Sequence, residues 1–271
     1  HRMLGEQSGI LNFLTEQRSA VINGAAGTGK TMIAVEKAVR HAADGERVLF
    51  LCYNSELKKF LTLHYENPLI DFMTLDGYAC RLCGVPFSDY GRAERKFKDF
   101  AAYGSLPYDH VIVDEGQDFG RDSMENAGLL QLLHDAVMAR PDSKSSFYVF
   151  YDRLQTVQSN QVPWLIRNAE CRLVLHKNCR NTENICRTAL SLLPKHGRTE
   201  VLRGIAGKIP CIHFSSKETC LKDMDTVIDG LRRDGINDIV ILTLSTEADS
   251  LVNKAAKNGS YGECRFMSCR K

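Results

Sequence analysis

Eight consecutive residues carry the clearest chemical signal in the chain: Gly24-Ala25-Ala26-Gly27-Thr28-Gly29-Lys30-Thr31, which follows the spacing G-x-x-x-x-G-K-[ST]. Glycines let the backbone turn so that successive N–H groups face phosphate oxygens. The Lys30 ammonium can reach the β- and γ-phosphates of a nucleotide, and the Thr31 hydroxyl can bind Mg²⁺. We therefore predict that residues 24–31 bind a nucleoside triphosphate. A glycine-rich turn without a ligand is the alternative.

Two adjacent carboxylates, Asp114 and Glu115, follow the apolar run Val111-Ile112-Val113. Ligands of open parallel sheets lie beyond the carboxyl ends of the strands, so we expect both acids to face the phosphate loop. Adjacent carboxylates in different environments can take different roles. We predict that Asp114 binds Mg²⁺ together with Thr31, and that Glu115 orients and deprotonates the attacking water. A solvated acidic turn is the alternative.

These residues need strands and helices to position them, and the chain alternates apolar runs with helical stripes. The predicted strands are 20–23, 48–53, 111–113, 147–150, 173–175, 211–214, 239–242 and 264–268, and the predicted helices are 33–42, 57–61, 129–138, 182–193 and 217–233. Strands that are apolar on both faces and alternate with helices predict an α/β fold with a parallel sheet. We predict a first domain over 1–168 and a smaller second domain over 169–271.

Length and composition limit the classes of protein that fit. A chain of 271 residues with 44% hydrophobic residues has room for about two domains. Its net charge of +2 implies that any polyanion site is a local groove. No apolar run approaches the ~18 residues of a membrane span, and the first residues lack the apolar core of a signal peptide. We expect a cytoplasmic protein with reduced thiols and no membrane partner, in which Cys80 and Cys83 are buried rather than metal ligands.

Four motifs, in the same order along the chain, resemble the UvrD/Rep-like superfamily 1 DNA helicases. They are the phosphate loop, Asp114-Glu115-Gly116-Gln117-Asp118, Asp152-Arg153-Leu154-Gln155 and Asn178-Cys179-Arg180-Asn181-Thr182. The resemblance runs from about Met3 to the last residue. It implies a P-loop NTPase with tandem RecA-like sheets, ATP and Mg²⁺ between the two domains, and an incomplete second domain.

The resemblance also implies roles for individual residues. Gln7 aligns with a glutamine that recognises adenine, Gln155 with a sensor of the γ-phosphate, and Arg180 with an arginine finger from the second domain. Segments 51–54 and 74–76 resemble contacts to a nucleic-acid backbone. An exposed glutamine is the alternative for Gln7, and a surface ion pair is the alternative for Arg180.

The function implied by this resemblance is ATP hydrolysis coupled to movement on single-stranded or partly duplex DNA, with RNA as the alternative strand. Relatives carry two further motifs after a strand like 264–268, so we expect this chain to hydrolyse ATP weakly. They also have tyrosine where this chain has Cys179, so we expect weaker stacking on adenine.

Two other functions compete with the motor. One is a nucleotide-gated, helicase-like switch without unwinding activity, with a protein partner in a repair or defence complex. The other, a small-molecule kinase built on the same loop, explains neither Gln155 nor Arg180.

Overall fold

Six parallel strands form the main sheet of the protein, seen in a computed structural model, in the order β3-β2-β4-β5-β1-β6. The strands are β1 (Ser19–Gly24), β2 (Val48–Cys52), β3 (Ile70–Met73), β4 (His110–Asp114), β5 (Ser146–Tyr151) and β6 (Arg172–Leu175). The structure describes residues 3, 5–84, 86, 99, 106–119, 129–140, 144–153, 163–192, 200–201, 204–245, 249–256 and 260–268.

Helices cover both faces of this sheet. The α-helices described in the first unit are α1 (Gly5–Phe13), α2 (Lys30–Ala43), α3 (Ser55–His64), α4 (Leu75–Cys83), α5 (Leu129–Met138), α6 (Trp164–Arg167) and α7 (Glu183–Ser191). Side chains of α1, α2 and α3 pack on one face, and side chains of α4, α5 and α6 pack on the other. None of the helices in the described residues is long and apolar enough to cross a membrane.

The strands are apolar on both faces because both faces are covered. Phe50 on β2 packs with the α1–α3 layer, whereas its neighbours Leu49 and Leu51 pack with the α4–α6 layer. All five residues of β2 and all five of β4 are buried. The predicted α/β class with a parallel sheet is confirmed, and removing these strands from water supplies its main stabilisation.

The strand order brings the two chemical motifs to one edge of the sheet. β1 ends at the phosphate loop and β4 ends at Asp114, and β5 lies between them in parallel register with each. Parallel strands place their carboxyl ends at the same edge, so the loop and the acid pair are two strand positions apart on one rim.

The structure divides the chain later than we predicted. β6 pairs in parallel with β1, from Val21–Arg172 to Gly24–Leu175, so residues 172–175 belong to the first sheet and not to a second domain beginning at 169. The two compact units are His1–Pro210 and Cys211–Lys271. An apolar run predicts a strand, but the free edge of β1 decides which sheet that strand joins.

The second unit has its own small sheet. The strands β9 (Val240–Thr243), β10 (Ser260–Tyr261) and β11 (Cys264–Ser268) lie in the order β10-β11-β9, with helices α8 (Cys220–Arg233) and α9 (Leu251–Ala255). Ile228, Tyr261 and Cys264 form its buried core. In the first unit, the short strands β7 (Lys177–Asn178) and β8 (Glu200–Val201) pair with each other.

Some of the predicted elements differ from the structure. The predicted strand 211–214 is wrong, because these residues form no strand and Phe214 is 95% exposed. An apolar run becomes a strand only when it finds a hydrogen-bonding partner. The prediction also missed β3, whose four residues are too short for a clear pattern, and α1, which carries Gln7.

Candidate functional site

The phosphate loop takes a backbone path that requires glycine at two positions. Gly27 has φ of +84° and Gly29 has φ of +91°, both in the left-handed region that other residues rarely occupy. A Cβ atom on Gly27 would also overlap the side-chain amide of Asn178, and one on Gly29 would overlap Gln7 Nε2. Gly29 caps α2, so the amino terminus of that helix opens directly from the loop.

The loop's carbonyl groups are held by hydrogen bonds, two from residues of the loop itself and three from distant residues. Lys30 Nζ donates to the Gly24 carbonyl at 2.9 Å, and the Thr28 hydroxyl donates to the Ala25 carbonyl at 2.8 Å. Distant residues hold the next three carbonyls: Asn178 Nδ2 donates to Ala26 at 2.9 Å, Cys179 N to Gly27 at 3.0 Å and Gln7 Nε2 to Thr28 at 3.1 Å. Five consecutive loop carbonyls, from Gly24 to Thr28, are thereby fixed by hydrogen bonds, and the Thr28 N–H also donates to the Ala25 carbonyl at 3.2 Å.

The oxygen ligands predicted for Mg²⁺ lie together. The Thr31 hydroxyl donates to Asp114 Oδ2 at 2.6 Å, which joins the first turn of α2 to the end of β4. Burial raises the pKa of Asp114 to about 6, helped by the nearby Glu115 charge, while the Thr31 hydrogen bond and Lys30 oppose that rise. A buried carboxylate whose ionised form is disfavoured, beside a hydroxyl oxygen, fits a hard divalent cation.

Hydrogen bonds position Glu115 beside the predicted Mg²⁺ ligands. Its backbone is in the left-handed region at φ +55°, and its N–H donates to Asp114 Oδ1 at 3.1 Å. Gln117 Nε2 donates to Glu115 Oε2 at 2.7 Å, while Gln117 Oε1 accepts from Asp152 N at 2.9 Å. The buried Gln117 therefore links the acid pair on β4 to the residue that follows β5.

Lys30 lies between the loop and the end of β5. It is only 6% exposed, and its Nζ is 3.8 Å from Asp152 Oδ2, a carboxylate that is also buried. The structure thus brings Lys30, Thr31, Asp114, Glu115 and Asp152 to one place at the carboxyl edge of the sheet.

The structure places Gln7 against the loop rather than out in solvent. It is 1% exposed, and its Nε2 lies 3.4 Å from Cys179 Sγ as well as 3.1 Å from the Thr28 carbonyl. The exposed-glutamine alternative is therefore wrong. The role of Gln7 in recognising adenine stays a prediction.

The other two predicted residues have different outcomes. Arg180 is exposed and lies in the first unit, one residue after the Cys179 amide that binds the loop, and not in the second domain. Its N–H donates to Asn178 Oδ1 at 3.2 Å. Gln155 lies outside the described residues.

Residues predicted to touch nucleic acid follow β2 and β3 at the same edge of the sheet. Tyr53 is 41% exposed, and its ring and the Phe119 ring form an edge-to-face pair with centroids 6.2 Å apart. Asn54 caps α3 by accepting from Glu56 N at 2.8 Å, and Thr74 caps α4 by accepting from Gly77 N at 3.1 Å.

Three residues of this site had no role assigned from the sequence. Glu6 accepts from the backbone N–H groups of His176 (3.1 Å) and Lys177 (3.2 Å), next to the segment that holds the loop. Asn178 and Gln117 belong to motifs named in the sequence analysis. Their amide side chains were the signal from which these positioning contacts could have been predicted.

Cys80 is buried, as predicted, whereas the side chain of Cys83 lies outside the described part of the chain.

Comparison with known proteins gives only distant likenesses. No protein-family model and no curated protein matches the chain. The Pif1 helicase from Candida albicans superposes with 14% identity and a TM-score of 0.47, over 94% of this chain and 53% of that one. AMPPCP-bound DnaA from Aquifex aeolicus gives 11% and 0.39 over 86% and 64%, and Bacteroides Pif1 bound to ssDNA gives 16% and 0.36 over 92% and 55%.

The chain thus spans between about half and two thirds of the length of these solved structures. At such low identities and TM-scores, the site has to be judged on its own geometry. That geometry is a phosphate loop between β1 and α2, with a buried aspartate across from it at the end of β4. The chain has the α/β fold of P-loop NTPases.

Proposed function

We propose that this chain is the ATP-binding core of an ATP hydrolase that moves on single-stranded DNA, of the UvrD/Rep type. The observation that carries the proposal is the 2.6 Å hydrogen bond from Thr31 to Asp114. It brings the phosphate loop and the acid pair into one site, which is the arrangement that hydrolysis of a triphosphate requires.

Each residue has a defined task in this proposal. When bound, Mg²⁺ supplies positive charge that offsets the negative charge of the phosphates. Lys30 leaves the Gly24 carbonyl and donates to phosphate oxygens, while Thr31 and Asp114 present oxygen ligands to the cation. Glu115 accepts a proton from the attacking water. Gln117 positions Glu115 through the 2.7 Å bond between their side chains.

Arg180 is proposed to stabilise negative charge on the transferring phosphoryl group. This role is supported by the position of Arg180 directly after Cys179. The backbone amide of Cys179 donates to the Gly27 carbonyl of the loop. A guanidinium at such a position accelerates phosphoryl transfer by about 10³–10⁵ where this has been measured.

The proposed partner is single-stranded DNA. The proposal rests on the resemblance of the motifs, and it is supported by the exposed Tyr53 at the edge of the sheet where the phosphate loop also lies. An exposed aromatic ring offers a stacking surface to an unpaired base.

Binding of a fluorescent ATP analogue to the full chain, followed by single-turnover hydrolysis, tests the nucleotide part of the proposal. Lys30→Ala should abolish binding, because the loop loses its charge partner for the phosphates. Glu115→Gln should keep binding and abolish turnover, because an amide cannot accept the proton. Lys59→Ala, an exposed lysine on α3, is the control and should change neither quantity. Unchanged turnover in Glu115→Gln would refute the role of Glu115.

The nucleotide-gated switch remains the second candidate, and one observation favours it. Asn178 and Cys179 bond directly to loop carbonyls, so a change in the loop on nucleotide binding passes to the segment that leads into α7. Measuring turnover with and without single-stranded DNA separates the two functions. Stimulation by the strand supports the motor, and nucleotide binding without any effect of the strand supports the switch.

A further inference from the structure

A second cluster of polar side chains lies in the first unit, on the elements that build the nucleotide site but at their other ends. His41 is in the last turn of α2, whose first residue is Lys30. His110 begins β4, whose last residue is Asp114. Glu46 follows α2 in the turn toward β2. The cluster is therefore separate from the residues predicted to bind a nucleotide.

The three side chains converge on one point. Glu46 Oε2 lies 2.8 Å from His41 Nδ1 and 2.7 Å from His110 Nε2. The two imidazole rings stack, with their centroids 3.4 Å apart. One nitrogen from each ring and the carboxylate oxygen all lie within 4.8 Å of one another, which is a spacing that one metal ion can span.

The three donor atoms favour some metal ions over others. Two imidazole nitrogens and one carboxylate form a three-ligand set that Zn²⁺ uses in proteins, with a fourth position left for water. Imidazole favours zinc and its transition-metal neighbours over Mg²⁺ and Ca²⁺, which prefer oxygen ligands. This donor set therefore differs from the oxygen-only pair of Thr31 and Asp114.

The surroundings also suit a bound metal. His110 Nδ1 is 2.8 Å from Ser146 Oγ, the kind of outer hydrogen bond that orients a metal-binding imidazole. His41 and Glu46 line a cavity of about 650 Å³, which gives a route for the ion and its water.

We propose that His41, Glu46 and His110 form a binding site for one divalent transition-metal ion of the zinc class. Tetrahedral ligands around zinc lie about 3.3 Å apart, so the carboxylate must move outward by about half an ångström. Glu46 can do so, because it is the most exposed of the three and follows Gly45, which has a φ of +82°. Lys37, one turn earlier on α2, brings a positive charge to this region, and its Nζ lies over the Tyr148 ring at 5.6 Å from the centroid.

The bound ion would fasten the carboxyl end of α2 to the amino end of β4. Those two elements carry Thr31 and Asp114 at their opposite ends, and these residues are joined by the 2.6 Å hydrogen bond. We therefore assign the ion a structural task, which is to hold α2 and β4 in register from the far edge of the sheet.

Cobalt(II) absorption and zinc calorimetry on the full chain test the proposal. The protein is first stripped with a chelator and then held in excess Mg²⁺, so that any oxygen-ligand site is filled. We expect one equivalent of Zn²⁺ to bind and to raise the melting temperature. Cobalt should give visible bands of a nitrogen–oxygen site without the charge-transfer absorption of thiolate ligands. Absence of one-to-one binding, or a thiolate spectrum, overturns the proposal.

Matched variants locate the ion. Glu46→Gln and His41→Gln should each weaken zinc binding by more than about tenfold, since loss of even an outer partner of a metal ligand costs 10–100-fold. Glu36→Gln, an exposed acid on the same helix, and Cys80→Ser are the controls and should bind zinc as the parent does. Melting in chelator checks that each variant is folded. Equal affinity in Glu46→Gln, His41→Gln and the controls also overturns the proposal.

Discussion

The Thr31 hydroxyl donates to Asp114 Oδ2 at 2.6 Å, although the two residues are 83 positions apart in the chain. The contact joins the first turn of α2 to the carboxyl end of β4. Burial and the nearby Glu115 charge disfavour the ionised form of Asp114, while the hydrogen bond from Thr31 partly offsets them. Keeping this carboxylate buried therefore costs the protein some stability at neutral pH.

Replacing Asp114 with asparagine tests that cost. The pKa of about 6, against 3.8 for a free carboxyl, means that the ionised group destabilises the fold at pH 7 by on the order of 3 kcal/mol. Asp114→Asn should therefore unfold at an equal or higher denaturant midpoint than the parent. Mg²⁺ should no longer strengthen nucleotide binding in the variant. A clear loss of stability in the metal-free protein would contradict this account of Asp114.

Gln117 offers a test of positioning, because its two side-chain atoms have different partners. Gln117→Ala leaves the buried Asp152 N–H without its acceptor, so unfolding should become easier by about 1–3 kcal/mol. Gln117→Glu keeps an oxygen for that N–H but places a second negative charge beside Glu115. Because burial and the Glu115 charge also disfavour this new carboxylate, the glutamate variant should lose both turnover and stability.

Denaturant titration and single-turnover hydrolysis measure the two effects separately. Gln131→Ala on α5, which removes a bond to the exposed Asp135, is the control and should leave turnover unchanged. If both Gln117 variants hydrolyse ATP at the parental rate, the 2.7 Å bond to Glu115 does not position the base.

Asn178 should matter for nucleotide affinity without touching the nucleotide. Its Nδ2 holds the Ala26 carbonyl and its Oδ1 accepts from the backbone of Arg180 and Asn181. Asn178→Ala frees the loop carbonyl, so binding of an ATP analogue should weaken by about tenfold, the equivalent of ~1.4 kcal/mol. Asn184→Ala, which removes a bond to the Gly207 carbonyl, is the control and should bind like the parent.

Asp71 gives the protein a defined acid sensitivity away from the site. Burial alone would raise the pKa of its carboxyl, but hydrogen bonds from Arg81 and Tyr108 outweigh burial and lower it. Because the folded pKa is depressed, the stabilisation is present above the ordinary carboxyl pKa and is lost as pH falls through the folded value. The parent should melt higher than Asp71→Asn near neutral pH, and that difference should disappear in strong acid.

Tyr108→Phe removes one of the two hydrogen-bond donors to Asp71 and keeps the Asp71 carboxyl itself. The pH-dependent part of the melting temperature should become smaller in this variant without disappearing, because the Arg81–Asp71 ion pair remains at 2.9 Å. A melting difference between the parent and Asp71→Asn that is the same at every pH would show that the carboxyl is not responsible.

The motifs alone predicted which residues meet at the carboxyl edge of the sheet. Glycine at positions with φ above +80°, a lysine and a threonine after them, and an acid pair after an apolar strand are local patterns, and the structure brings Lys30, Thr31 and Asp114 together as expected. The parallel α/β class was equally predictable, because strands buried on both faces need apolar residues at every position.

The tertiary structure decided the contacts between residues that are far apart in the chain. Asn178 and Cys179 hold carbonyls of Ala26 and Gly27 from 152 positions away, and Gln7 holds Thr28 from the other side. The edge of β1, rather than any property of residues 172–175, brought that strand into the first sheet. A side chain's residue type states what it can donate or accept, but only packing decides which distant backbone group lies within its reach.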